Sequence, residues 1–385
     1  MNKLQEILGL PEDRRARLGL LDTPREIAHQ PEAWVKTAAL VAGIAPDLAG
    51  FLQQPLVFSG AGTSHFIGLS LAGLFRRRGM HAEAVPSTEI TVDATEALPP
   101  GRFGLVSFAR SGNSPEGNHA FELVSRHRPE VRHLVITCNP EGTLYQLAGE
   151  KPGAVRLLLP AMTNDRGLAM TSSYTSMVVA GQGIALSGSA AYVSQVERMA
   201  AMGQRVLEDC PMVLAEVAGR RPARALFLGT GTLLGAATEA HLKVQEMTAG
   251  RTVARAESFL GLRHGPMAMI DPETVVVAFL SSGPARRRYE LDLLREVRAK
   301  GLGACTVVVA DSAEGLGSGL ADVVVEVDPQ AGSAPPLADD FRPPVYVVAA
   351  QLLALFLSLE AGLAPDTPSA GVINREVQGV TIYPD

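Results

Sequence analysis

Short apolar runs alternate along the chain with stretches whose apolar residues recur every three to four positions. Residues 56–59 are apolar and run into Gly60-Ala61-Gly62-Thr63-Ser64, and a helical pattern over 66–75 follows at once. This order predicts a strand, a tight glycine turn and a helix. A second strand is predicted over 105–108, then the polar loop Arg110-Ser111-Gly112-Asn113-Ser114 and a helix over 117–126. Further strands are predicted over 133–137 and 155–159. Strands separated by helices imply a largely parallel sheet covered on both faces.

The pattern then repeats. Landmarks recur from Gly60 to Gly229, Gly112 to Gly283 and Asn139 to Asp311, spacings of 169, 171 and 172 residues. Three landmarks at nearly one offset mark a duplicated α/β unit. The implied divisions are an N-terminal helical segment (1–43), a first lobe (44–200), a second lobe (201–345), and a C-terminal helix and tail (346–385). In the first segment, Asp22-Thr23-Pro24-Arg25-Glu26 predicts a helix start in which Thr23 caps and Glu26 closes a capping box, with the helix running to about residue 42. Residues 328–344 read as a linker, 345–359 as a buried helix and 362–385 as a tail.

Composition narrows the function. A chain of 385 residues exceeds the ~250–300 at which one core stops growing, which agrees with two lobes. The net charge of −6 and 5% aromatic content give neither a basic footprint nor stacking platforms for nucleic acid. The longest uncharged apolar run, 345–359, falls short of the ~18 residues of a membrane span, and the charged N-terminus does not resemble a secretory signal. Cys138, Cys210 and Cys305 stand far apart, as expected of a soluble cytoplasmic protein without structural zinc. The histidines offer no metal-ligand spacing, so no metal is expected. A dinucleotide reading of Gly60-Ala61-Gly62, with Glu83 as ribose acid, fails where the third glycine should stand and His65 does. No cofactor is expected.

Two places carry candidate chemistry. The loop after the second strand offers Ser111, Gly112, Asn113 and Ser114 ahead of Pro115 at a helix start, an arrangement suited to an anion, although an N-cap alone would also explain Ser114-Pro115. The dense run Thr171-Ser172-Ser173-Tyr174-Thr175-Ser176 could close over the same ligand, while Ser282-Gly283-Pro284 with Arg286-Arg287-Arg288 in the second lobe reads as a solvated basic helix start. The other place is a helix on which Glu239, Lys243 and Glu246 share a stripe, with Leu242 and Met247 free to turn inward. Taken alone, that stripe fits a solvated ion pair as well as a site. Beyond Gly250 an irregular run leads to the loop Arg263-His264-Gly265-Pro266.

Together these features resemble the sugar isomerase (SIS) family: the doubled unit, G-A-G-T-S at 60–64, S-G-N-S at 111–114, E-x-x-x-K-x-x-E at 239–246 and R-H-G-P at 263–266. FARSGNSPE, ITCN at 136–139, DRGLAMTSS at 165–173 and PDTPSAG at 365–371 are most similar to the bacterial galactosamine-6-phosphate deaminase/isomerase branch. The resemblance implies two SIS-type lobes, each a flavodoxin/Rossmann-like three-layer sandwich. It implies a hexose or hexosamine 6-phosphate held by Gly62, Thr63, Ser64, Arg110, Ser111, Asn113, Ser114, Thr171, Ser172 and Gln378. Glu246 would move the proton with Lys243 beside it, and His264 would open the ring, supplied from the neighbouring subunit of a homodimer or higher assembly. Relatives that use glutamine carry a lysine where this chain has Gln378, and many members of the branch have lysine where it has Met267. A non-catalytic sugar-phosphate sensor and a glucosamine-6-phosphate deaminase remain alternatives at this point. Retention of both Glu246 and His264 argues against the sensor, because binding alone needs no acid–base pair.

Overall fold

The computed structural model describes residues 1–383 except 49 and 188, with the side chains of 45–47 left aside. The end of the predicted tail, 384–385, lies outside the described residues. Ten strands form two all-parallel sheets among the described residues. The first contains β1 (Leu56–Gly60), β2 (Ala82–Pro86), β3 (Gly104–Ala109), β4 (Arg132–Thr137) and β5 (Val155–Leu158) in the order β2-β1-β3-β4-β5. The second contains β6 (Arg224–Gly229), β7 (Val253–Ser258), β8 (Thr274–Phe279), β9 (Cys305–Ala310) and β10 (Val323–Glu326) in the order β10-β9-β8-β6-β7. Counted within each lobe the two orders are the same, which is the duplication expected from the spacing of the glycine turns. In both lobes the chain reverses direction across the sheet beside the first strand, the position where ligands gather in open parallel sheets.

Three strands escape the reading by hydrophobic runs. β2 and β7 each pair with one neighbour only, β1 and β6 respectively, and β10 pairs only with β9. As edge strands β2 and β7 keep charged residues, Glu83 in β2 and Arg255 and Glu257 in β7, so no apolar run announces them. The short β10 does carry an apolar run, Val323 to Val325, that the sequence reading passed over. β7 occupies part of the run expected to be irregular after Gly250.

The N-terminal helix also differs. It is broken at His29 into Thr23–Ala28 and Gln30–Leu48. Asp22, not Thr23, is the capping position, and it makes no side-chain cap bond. Glu26 closes no capping box, because its carboxylate accepts backbone N–H groups from Arg166 and Gly167 across the fold. Instead Asp366 serves this helix start: its carboxylate accepts from the N–H groups of Leu21, Asp22 and Thr23. A capping partner 343 residues away in sequence cannot be seen in a local motif.

The lobes meet around the helix Pro343–Glu360, which is apolar and long enough to cross a membrane by length but is 89% buried inside the protein. Val347 packs into the core of the first lobe while Tyr346 and Val348 pack into that of the second. Each such side chain, fully removed from water, contributes ~1.5–3 kcal/mol. At the helix start the buried Arg342 guanidinium pairs with Asp311 and donates to the Tyr346 hydroxyl. The helix Thr232–Met247 packs against this central helix and against Thr63–Arg77, which brings the two candidate places together.

Candidate active site

β1 ends on Gly60, where a side-chain carbon would fall 2.5 Å from the Ser64 Cβ. Only glycine lets the helix Thr63–Arg77 start so close to the strand tip. Next to it, β3 ends in the loop 110–114, where Gly112 turns with φ +70 before the helix Pro115–His127. The two helix starts, whose first N–H groups have no partner within the helix, face a cleft of about 140 Å³ lined by Ser64, Ser111 and Ser114. Arg375 and Glu376 of the C-terminal tail close its side. Ser59 and Ser87 also line it, and their buried hydroxyls have no hydrogen-bond partner among the described residues.

The remaining residues expected to bind the ligand are engaged in different ways. Gly62 shapes the turn, and Thr63 points away from the cleft, its hydroxyl donating to Glu239 Oε1 (3.3 Å) and accepting from Lys243 Nζ (3.0 Å). Arg110 lines the cleft but spends its donors on the carbonyls of Gly167, Leu168 and Arg375, so it is a brace for the tail. Burial, then the nearby Arg375 charge, lowers its pKa. Asn113 stands between the cleft-lining Gly112 and Ser114 without lining the cleft itself: Oδ1 accepts from Thr143 N (3.1 Å) and Nδ2 donates to Glu376 Oε2 (3.3 Å).

Thr171 and Ser172 do not close over the cleft. Their backbone N–H groups and hydroxyls, with those of Ser173, are directed at the carboxylate of Asp165 (Thr171 N 2.8 Å, Ser173 Oγ 2.6 Å). The start of the helix Ser172–Ala185 is therefore served by an internal anion, which accounts for the density of hydroxyls. Gln378 is exposed and does not line the cleft.

The second lobe shows why only one cradle is open. At the position matching Ser111–Ser114, Ser282 donates through both N and Oγ to Asp339 Oδ1 (2.7 and 2.9 Å), and Arg286 reaches Asp339 Oδ2 at 3.3 Å. This helix start, expected to be a solvated basic one, is filled by the protein's own carboxylate.

The acidic stripe is no surface ion pair. Glu239 and Lys243 are wholly buried, Glu246 keeps about 20% exposure, and Leu242, expected inward, is only half-buried. The face carrying Lys243 is the one pressed between lobes, and no periodicity within the helix announces that. Lys243 Nζ lies 3.2 Å from Glu239 and 2.5 Å from Glu246. Burial works to lower the Lys243 pKa, and the two carboxylates outweigh it and raise it. Burial lifts Glu239 to about 8 against the pull of Lys243, and Glu239 Oε2 has no hydrogen-bond partner among the described residues. Thr63, bonded to this cluster, immediately precedes the cleft-lining Ser64, so the cleft and the Glu239-Lys243-Glu246 cluster adjoin.

His264 ends a short 3-10 turn, Gly261–His264, and is exposed. Among the described residues no hydrogen bond or ion pair joins it to Glu246 or to the cleft. Arg263 anchors its loop through Glu296 (2.7 Å) and Asp292 (2.9 Å). Sequence reasoning missed Ser59, Ser87, Arg375 and Glu376. Ser59 stands one residue before the glycine turn, a signal that could have been used, whereas the other three reach the cleft only through the tertiary fold.

A doubled parallel α/β fold with a hydroxyl-lined cleft beside a buried Glu-Lys-Glu cluster defines a phosphosugar-type SIS protein, and the chain belongs to the SIS family. The SIS domain pattern itself matches residues 220–361, the second lobe and central helix. The chain is 39% identical over 377 residues to D-galactosamine-6-phosphate deaminase AgaS of Escherichia coli, covering 94% of this chain and 95% of that protein. It is 32% identical over 389 residues to the enzyme of the same name from Shewanella sp. (strain ANA-3), covering 97% and 95%. The crystal structure of tagatose-6-phosphate ketose/aldose isomerase from Escherichia coli superposes with a TM-score of 0.82 at 36% identity, covering 94% of this chain and 96% of that one.

Proposed function

We propose that this protein is a phosphosugar deaminase/isomerase that converts galactosamine 6-phosphate to tagatose 6-phosphate and ammonia. The observation that carries the reading is the adjacency of the cleft to the Glu239-Lys243-Glu246 cluster through Thr63 and Ser64. The similarity to the D-galactosamine-6-phosphate deaminases supports the choice of substrate.

Ser64, Ser111, Asn113 and Ser114 bind the phosphate. Glu246, the least buried member of its cluster, takes the proton from C2 of the open-chain sugar and returns one to C1. Lys243 offsets negative charge that develops on oxygen. The nitrogen then sits on C2 as an imine; water adds to that carbon, ammonia leaves, and a C2 ketone remains. Electrons are only rearranged, so no redox cofactor takes part. His264 opens the ring in a neighbouring subunit of a homodimer, a role that its exposed position permits. Gln378 cannot form an imine with substrate. The protein acts in the cytoplasm, where hexosamine phosphates are found.

Ammonia release from galactosamine 6-phosphate and from glucosamine 6-phosphate tests the reading. Release from the first at a clearly higher kcat/KM is expected. Preference for the second would reassign the substrate, and binding of both without ammonia from either would leave a sensor.

A further inference from the structure

The tail brings a carboxylate to a cleft lined by hydroxyls, two helix starts, the arginines Arg110 and Arg375, and apolar side chains such as Phe108 and Leu144. Glu376 Oε2 accepts from Asn113 Nδ2 (3.3 Å), and Glu376 Oε1 accepts from Arg375 Nη1 (3.0 Å). Its other surroundings are open, about a third of the side chain being exposed. The Arg375 guanidinium is otherwise fixed: Nε donates to Asp165 O (2.8 Å) and Nη2 to Asn164 Oδ1 (2.7 Å). The other cation lining the cleft, Arg110, donates to three carbonyls. Nη1 of Arg375 is thus the end of a cationic group that can change partner at the cleft. The interior is prepared for a polar ligand, since the hydroxyls of Ser59 and Ser87, 3% and 2% exposed, line it without partners.

A phosphate monoester entering this cleft seeks the same donors that Glu376 holds, and like charges at such spacing repel. We propose that Glu376 is a placeholder anion, displaced by the phosphate of the substrate, which then takes Arg375 Nη1 and Asn113 Nδ2 in its stead. Arg375 thereby becomes the charge partner of the phosphate, and Glu376 sets a threshold that a doubly charged group passes and a neutral sugar does not. The second lobe shows the same physics in a permanent form, with Asp339 filling the matching position. This inference rests on the phosphosugar reading of the cleft.

Calorimetric titration of the full chain with inorganic phosphate tests it. Glu376→Gln should bind phosphate roughly tenfold more tightly than the parent, about the effect of one charged contact. A tail merely loosened by the substitution would bind more weakly, so the sign separates the two roles. The double variant Arg375→Gln/Glu376→Gln should lose that gain, because the gain needs the guanidinium. Unchanged or weaker phosphate binding by Glu376→Gln overturns the exchange, as does a gain that survives in the double variant. The control is Ser111→Ala/Ser114→Ala: if it leaves phosphate binding at the parental level, the phosphate reading of the cleft falls. If it weakens binding while Glu376→Gln brings no gain, only the exchange falls.

Discussion

Lys243 and Glu239 stand one turn apart on a single helix, both wholly buried, with Nζ 3.2 Å from Oε1. Lys243 carries one positive charge between two acidic side chains, and burial raises the pKa of Glu239 to about 8. Lys243→Met should cost ~3–5 kcal/mol of stability, since it strands buried acidic groups. Glu239→Gln should cost clearly less at pH 7, because the side chain it replaces is largely protonated there. Urea denaturation of both variants checks this, and equal losses would show Glu239 to be ionised.

Glu26 gives the fold a pH dependence of its own. Burial first, then the neighbouring Asp165, raises its pKa to about 8 from 4.5, although the N–H groups of Arg166 and Gly167 pull it down. A carboxyl with a raised folded pKa binds more protons folded than unfolded across that window. Stability from this group is fully present below about 4.5 and falls as pH rises toward about 8, with a slope of up to ~1.4 kcal/mol per unit. Glu26→Gln should flatten the curve of unfolding free energy between pH 5 and 8 by about that slope. An unchanged slope would show that Glu26 ionises normally.

Glu246→Gln keeps size and polarity but removes the proposed base. We expect kcat to fall ~10²–10⁴-fold with KM little altered. Exchange of C1 hydrogen of tagatose 6-phosphate with deuterated water should stop as well. Exchange at the parental rate would move the role to another group, with Glu239 next in place.

His264→Ala should slow turnover from the closed ring and spare hydrogen exchange from the open chain. If His264 serves the neighbouring subunit, mixing it with Glu246→Gln under subunit exchange should restore part of the activity. No recovery despite demonstrated exchange would place both groups in one chain.

Ser111→Ala with Ser114→Ala should raise KM more than it lowers kcat, because phosphate contacts act alike in ground and transition states. A fall confined to kcat would place these hydroxyls at the reacting carbons.

Much of this protein was legible in local order. Apolar runs ending in glycine turns located the central strands β1, β3, β6 and β8, because a strand covered on both faces must be apolar throughout, and their spacing showed the duplication. The same reading left out β2 and β7, whose edge positions tolerate charged side chains, and the short β10, although Val323 to Val325 are apolar. The serines of the first cradle were visible because they sit within a few residues of one helix start. What the tertiary structure decided was burial and partnership across distance. Lys243 reads as half of a surface pair until the central helix and the first lobe close over it. The hydroxyls of Thr171 and Ser172 read as ligand donors until Asp165 claims them, and Ser282 until Asp339 does. Glu376 reads as tail until it meets Asn113, 263 residues earlier. Hydrogen bonds and charges act over a few ångströms of space whatever their separation in the chain, so periodicity reveals the elements and only their packing reveals which polar groups remain free to act.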